Sequence, residues 1–124
     1  MQPSELGGAE EAHALLLLRR LRQIDSKIGI GNSRIAFDLG VVFYELGRQE
    51  PSRQLTVDQM ADIAGYSGPT IRLVFKRMMA QGHITAAERL GKTQLYAMTA
   101  KGRAAFRAYV QALLEFRRSD WPLA

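Results

Sequence analysis

The residues best suited to chemistry in this chain are cations that could bind a polyanion, and they are concentrated in one segment. The formal net charge over 124 residues is +5, but residues 63–107 hold eight Lys or Arg side chains against a single acid, Glu88. Residues 1–62 hold seven basic and nine acidic side chains, and residues 108–124 hold two of each. A basic segment of this kind is typical of a surface that binds nucleic-acid phosphates.

Several of these cations fall on one side of a predicted helix over residues 68–81. Its apolar residues Ile71, Val74, Phe75 and Met78 recur at helical spacing and form an inward stripe, so the opposite side faces outward. That side is basic and has no acid, and an α-helix fits the major groove of duplex DNA. The residues that we expect to contact DNA from this helix are Ser67, Pro69, Thr70, Arg72, Leu73, Lys76 and Arg77.

The spacing also suggests what individual contacts would be. Arg72 could make a bidentate contact to guanine, and Thr70 could contact a thymine methyl group or a phosphate. Lys76 and Arg77 are predicted to contact the phosphate backbone.

A shorter predicted helix, residues 57–64, precedes this one and completes a helix-turn-helix. Thr56 and Gln59 have the spacing of a capping box at its start. Gly65 ends it, and Ser67 can cap the next helix only two residues later. A small residue, Ala61, lies where the two helices must cross, which is what the motif requires.

A β-hairpin is predicted directly after the helix-turn-helix. Its strands cover residues 84–89 and 94–98, around a turn that contains Gly91. The tip carries Arg89, Lys92 and Thr93, which we expect to contact the DNA backbone or the minor groove. Hairpin and helices together predict a winged helix-turn-helix over residues 55–99.

Three further helices, over residues 9–27, 33–48 and 100–118, flank this region, and residues 29–32 are predicted to break the first from the second. Residues 15–18 are four leucines in a row, so the first helix is apolar on most of its circumference. The fold class is therefore mainly α with a small β-hairpin wing, in one structural domain. Residues 1–54 and 100–124 are expected to form a homodimer across a two-fold axis. Such a dimer places its recognition helices about 34 Å apart on a pseudo-palindromic operator.

Residues 55–72 (LTVDQMADIAGYSGPTIR), followed by 81–84 (QGHI) and 98–102 (MTAKG), resemble the multiple-antibiotic-resistance regulator (MarR) family. The resemblance implies a dimeric DNA-binding transcription regulator, often a repressor that a small-molecule effector releases. The wing departs from the family pattern, which has a longer hairpin with an Asp-x-Arg sequence. Here Glu88-Arg89 and Lys92 stand in a shorter loop, so Arg89 and Lys92 are carried over only as general cationic contacts.

Other chemistries lack the residues that they need. The chain has no cysteine, which excludes disulfides, thiol catalysis and cysteine-ligated metals. Neither His13 nor His83 is followed by a carboxylate or a second His three or four residues later, and Glu10 gives His13 only one carboxylate neighbour, so no metal site is predicted. No catalytic arrangement or cofactor fingerprint occurs, so neither an enzyme nor a cofactor is expected. No apolar run could cross a membrane, and the acidic N-terminal residues lack a signal-peptide pattern, which predicts a cytoplasmic protein.

Three questions stay open at the level of sequence. A winged helix can instead dock on another protein, as an antirepressor or adaptor that does not bind DNA itself. The basic residues at the start of the last helix, Lys101, Arg103 and Arg107, could face DNA or only solvent. Neither the operator nor the sign of regulation follows from the residues.

Overall fold

A computed structural model of the chain describes residues 8–28, 33–51 and 53–118. The elements follow the order α1 (Gly8–Ile28), α2 (Arg34–Gln49), α3 (Val57–Ala64), α4 (Gly68–Ala80), β1 (Ile84–Leu90), β2 (Thr93–Met98) and α5 (Ala100–Arg118). This order confirms the predicted mainly α fold with a small hairpin wing. The predicted break at residues 29–32 lies outside the described residues.

Side-chain caps set where the helices begin. Thr56 Oγ1 accepts a hydrogen bond from the Gln59 N–H at 3.0 Å, and Gln59 Oε1 accepts one from the Thr56 N–H at 2.9 Å, which completes the capping box. Ser67 caps α4. Ser33, predicted as the first residue of its helix, is the N-cap of α2 instead, because its hydroxyl accepts a hydrogen bond from the Ala36 N–H at 3.1 Å. Thr99 accepts one from the Gly102 N–H at 3.0 Å and so caps α5.

The described chain divides into two compact units. One contains α1 and the part of α5 from Arg107 onward, and the other spans residues 32–106 and contains the helix-turn-helix, the hairpin, α2 and the start of α5. None of the described helices combines the length and the apolar content that a membrane crossing requires.

The core of the second unit is built around α4. All four residues of its predicted inward stripe, Ile71, Val74, Phe75 and Met78, are buried. Other buried apolar residues of this unit come from α2, the loop before α3, α3 itself, the hairpin and α5; they are Ala36, Leu39, Phe43, Leu55, Met60, Ile84, Met98 and Phe106. The periodicity therefore predicted correctly which side of α4 turns inward.

In the first unit, α1 and the end of α5 run antiparallel. Arg20 Nη2 lies 2.7 Å from Glu115 Oε1, and the ring centroids of His13 and Phe116 are 4.6 Å apart. The Tyr109 hydroxyl donates a hydrogen bond to Asp25. Burial raises the pKa of Tyr109, and its hydrogen bond to Asp25 raises this pKa further.

Several leucines of the first unit remain largely in solvent. No residue of α1 is buried. Leu16 and Leu18 are 58% and 57% exposed, and Leu113 of α5 is 49% exposed. A protein that leaves this much leucine surface uncovered usually covers it with a partner.

A close approach between α2 and α5 makes Gly40 necessary in the second unit. A Cβ atom on Gly40 would lie 1.9 Å from Cζ of Phe106, whose ring is itself buried. The aromatic ring therefore occupies the space that any other residue would need.

We expect Gly40→Ala to lower the free energy of unfolding by about 2 kcal/mol, because overpacking outweighs the higher helix propensity of alanine. Urea unfolding measures this change. Gly68→Ala is the matched control, since the nearest atom to its added Cβ would be Arg72 Nη1 at 3.7 Å, an ordinary contact. Equal stability of the two variants would contradict the close approach.

Candidate nucleic-acid interface

The turn between α3 and α4 contains a glycine in the left-handed conformation and is connected to α2 by one hydrogen bond. Gly65 has a φ of +80°, a left-handed conformation that favours glycine. Its N–H donates to the carbonyl of Ala61, the predicted crossing residue, at 2.9 Å. The Tyr66 hydroxyl donates to Asp38 Oδ2 at 2.5 Å, and this bond raises the pKa of Tyr66. The helix-turn-helix is thus tied to α2 through its own turn.

The outer side of α4 presents the predicted cations to solvent. Arg72, Lys76 and Arg77 are exposed, and α4 contains no acidic residue. Within the part of the chain that the structure describes, no ion pair involves any of these three side chains. Pro69 is also exposed, and Leu73 is 54% exposed. The face therefore combines unpaired positive charge with one apolar side chain.

The first turn of α4 is organised by Ser67 and Thr70. Ser67 Oγ accepts a hydrogen bond from the Thr70 N–H at 3.3 Å and donates one to Thr70 Oγ1 at 2.9 Å. Thr70 is half-buried, and its hydroxyl keeps its own proton available for donation. Ser67 thus acts as a helix cap that also orients the Thr70 hydroxyl.

The wing has a tighter turn than the sequence predicted. Each strand is one residue longer, so Leu90 pairs with Thr93 and only Gly91-Lys92 connects the strands. Gly91 has a φ of +63°, as the first position of some two-residue hairpin turns requires. Thr93, predicted as a turn residue, lies in β2. Arg89, Lys92 and Thr93 are all exposed.

Residues from α4 and the wing meet in one cleft. The cleft has a volume of about 250 Å³ and is lined by Val57, Asp58, Arg72, Lys92, Thr93, Gln94 and Tyr96. The structure thus brings Arg72 together with Lys92 and Thr93, which the sequence predicted separately. Lys76, Arg77 and Arg89 do not line this cleft. Asp58 adds a carboxylate to the lining of the cleft.

The cations at the start of α5 differ in their surroundings. Arg103 is half-buried, donates to the carbonyl of Pro51 at 3.4 Å and lies against Gly47, where an added Cβ would come within 2.8 Å of Nη1. Arg103 therefore packs on the end of α2. Lys101 lies near Gly82, and Arg107 is exposed.

Two side chains that the sequence did not single out contact the wing. Gln54 and Gln94 hydrogen bond to backbone atoms of β1 near Glu88. A glutamine in a loop and another within a strand belong to no periodic pattern or motif, so the sequence carried no signal for them.

Comparisons with known proteins define the class of fold. No family model matches the sequence, and no curated protein matches it. Solved structures do match. The S. aureus MepR–DNA complex superposes with a TM-score of 0.72 at 14% identity, over 89% of this chain and 86% of that chain.

Two further structures have the same fold. The heme sensor protein PefR from Streptococcus agalactiae, in complex with heme, matches with a TM-score of 0.63 at 15% identity, over 95% of this chain and 82% of that one. A probable transcriptional regulator from Pseudomonas aeruginosa matches with a TM-score of 0.55 at 20% identity, over 90% and 82% of the two chains. These likenesses confirm a MarR-like winged-helix fold for this chain.

A buried histidine lies where α4 gives way to the wing. His83 is 2% exposed, and among the described residues its Nδ1 atom has no hydrogen-bond partner. Its ring meets the Phe106 ring edge-on, with centroids 6.5 Å apart. Burial lowers the pKa of His83, and the charge of Lys101 lowers it further. The described residues include no group of three or more His, Asp or Glu side chains that could hold a metal ion.

We expect stability to fall at mildly acidic pH because of His83. Its pKa lies below 6.5 when folded, so the unfolded chain takes up the proton more readily. The contribution of neutral His83 to the free energy of unfolding is complete above pH about 6.5. It is lost as the pH falls through the lowered pKa of the folded state. Urea unfolding at pH 7.5 and 5.5 measures this loss.

The variant that tests this is His83→Gln, which should reduce the loss of stability between the two pH values. An equal loss in the variant and in the wild type would rule out His83 as the titrating group.

Proposed function

We propose that this protein is a sequence-specific regulator of transcription that binds double-stranded DNA as a homodimer and acts as a repressor. The observation that carries the proposal is the presence of two exposed basic surfaces, one on α4 and one on the wing, whose cations form no ion pair within the described residues. The similarly folded MepR is solved in complex with DNA. In this proposal residues 55–99 bind DNA, and residues 1–54 and 100–124 form the dimer.

We infer that α4 enters the major groove. Its inward stripe is buried, so the cations of the opposite side are the ones that can face the groove. Arg72 is assigned to a guanine edge or a nearby phosphate, and Lys76 and Arg77 to phosphates. The exposed Leu73 suits a thymine methyl group. Ser67, Pro69 and Thr70 begin the helix at its DNA-facing end.

The wing supplies the second part of the proposed contact. Lys92 and Thr93 share the cleft with Arg72, so a phosphate contacted there would touch both α4 and the hairpin. Arg89 adds a cation on β1. These roles are backbone contacts, which contribute affinity and salt dependence more than sequence preference.

The uncovered leucines of the first unit support the proposed homodimer. Leu15, Leu16, Leu18, Leu113 and Leu114 are each more than a third exposed, and an isologous interface would cover the same residues on both chains. A two-fold dimer presents two copies of α4 to a pseudo-palindromic operator.

The role proposed here is binding, without catalysis. A regulator of this kind acts where the genome lies, which agrees with the predicted cytoplasmic location. Control by a small-molecule effector belongs to the proposal because the similarly folded PefR is a heme sensor.

We expect Arg72→Ala combined with Lys76→Ala to lower duplex affinity by at least about 30-fold, because a base contact and a phosphate contact are lost. The slope of log K against log salt should also become shallower by about 1. Fluorescence anisotropy with a duplex selected from a random pool measures both. The matched control, Arg19→Ala with Arg118→Ala, removes the same charge outside residues 55–99. Sedimentation velocity first confirms that this variant is still a dimer, and it should then bind as the wild type does.

Selection from the random duplex pool also tests the proposal as a whole. A palindromic consensus would support DNA binding by a two-fold dimer. If the folded wild type retained no duplex above background, the proposal would be wrong. A stoichiometric protein complex in a pull-down would then favour the alternative of an antirepressor or adaptor.

Substitution of leucines tests the proposed dimer interface. Leu16→Glu combined with Leu113→Glu should give a monomer by sedimentation velocity, because two carboxylates cannot be buried without partners. Leu90→Glu is the matched control, since Leu90 lies on the wing and is 63% exposed; it should leave the dimer intact. A wild type that is monomeric at micromolar concentration would contradict the interface.

A further inference from the structure

The wing contains an irregularity that the rest of the hairpin depends on. Ala86 pairs with Tyr96 and Arg89 pairs with Gln94, so two residues of β1 lie opposite the single residue Leu95 of β2. Such a bulge bends the strand and leaves backbone groups of the extra residue without ladder partners. Those groups need other hydrogen bonds to keep the strand in place.

The side chain of Gln94 satisfies the carbonyl groups at the bulge. The two N–H groups of its Nε2 atom are shared among the carbonyl oxygens of Ala87, Glu88 and Leu95, which lie at 3.2, 3.1 and 2.9 Å. One amide group thus connects both strands across the irregular pairing.

The side chain of Gln54 satisfies the remaining groups at Glu88. Gln54 Oε1 accepts a hydrogen bond from the Glu88 N–H at 3.1 Å, and Gln54 Nε2 donates to Glu88 Oε1 at 3.0 Å. The next residue, Leu55, exchanges two backbone hydrogen bonds with Tyr96, each of 2.8 Å. The segment before α3 is therefore fixed to both strands of the wing. We call Gln54, Glu88 and Gln94 the bulge clamp.

The bulge decides which face of the hairpin the tip residues occupy. Side chains alternate between faces along a strand, so residues three apart normally lie on opposite faces. With the extra residue, Ala86 and Arg89 pair with Tyr96 and Gln94, which lie on the same face of β2. Tyr96 and Gln94 line the cleft that also contains Arg72 and Lys92. The bulge thus brings Arg89 to the face of the hairpin that borders α4.

We infer that Gln54 and Gln94 are positioning residues for DNA binding, because the bulge clamp holds Lys92 in the cleft beside Arg72 of α4 and sets the face of the hairpin on which Arg89 lies. This inference rests on the proposed function. It also gives a role to Glu88, the one acid among the cations of residues 63–107, since its carboxylate accepts a hydrogen bond from Gln54.

A double-mutant cycle on duplex binding tests the inference. Gln94→Met keeps the length of the side chain and removes its amide. Lys92→Ala should weaken binding about fivefold in the wild-type background, equivalent to a phosphate contact of about 1 kcal/mol. In the Gln94→Met background the same substitution should have almost no effect, because the wing is already misplaced.

Lys76→Ala provides the matched comparison, since Lys76 lies on α4 and does not depend on the wing. Lys76→Ala should lower duplex affinity by the same factor in both backgrounds. A general loss of folding would not leave this factor unchanged. Gln54→Leu is a second variant that should abolish the effect of Lys92→Ala in the same way, and urea unfolding confirms that each protein is folded.

The positioning role and the proposed function would be contradicted by different results. Equal costs of Lys92→Ala in all backgrounds, in proteins that bind the selected duplex, would overturn the positioning role and leave DNA binding intact. A folded wild type that binds no duplex would overturn the proposed function itself.

Discussion

The burial of Phe75 is the interaction on which the rest of the second unit depends. Its ring lies between Phe43 of α2 and Tyr96 of β2, with centroid separations of 5.6 and 4.8 Å. Since residues of a helix are about 100° apart around its axis, fixing this one side chain also fixes the direction of Lys76 and Arg72. The same contact holds β2 and therefore the wing. The single ring of Phe75 thus orients both candidate DNA-binding surfaces.

Two acids near these surfaces, Asp38 and Glu88, are engaged in structural bonds. Asp38 accepts a hydrogen bond from the Tyr66 hydroxyl, and Glu88 accepts one from the side-chain amide of Gln54. Neither forms an ion pair with a cation of α4 or the wing within the described chain. The positive charge of this face is therefore left to act on a partner, and a field of one sign attracts a polyanion over several ångströms.

The sequence predicted those features whose causes are local. Thr56, Gly65 and Ser67 marked the helix-turn-helix because capping acts over two or three residues, and the stripe that contains Phe75 was visible because burial repeats with the helical period. The DNA contacts assigned to the outer side of α4 remain predictions, although their exposure follows from that stripe.

The features that the sequence missed join residues far apart in the chain. Gln54 meets Glu88 across 34 positions, and Tyr66 meets Asp38 across 28. Arg103 reaches the carbonyl of Pro51 across 52 positions. No periodicity or capping rule relates such pairs, because they are brought together only when the whole unit has folded. The bulge was missed for the same reason, since it exists only relative to the partner strand.

The backbone bridge between Leu55 and Tyr96 has a consequence for the order in which the unit folds. The helix-turn-helix is stabilised by contacts between near neighbours, whereas this bridge must first close a loop that contains the whole motif. Loop closure has an entropic cost that only later contacts repay. The helices can therefore form before the wing is secured.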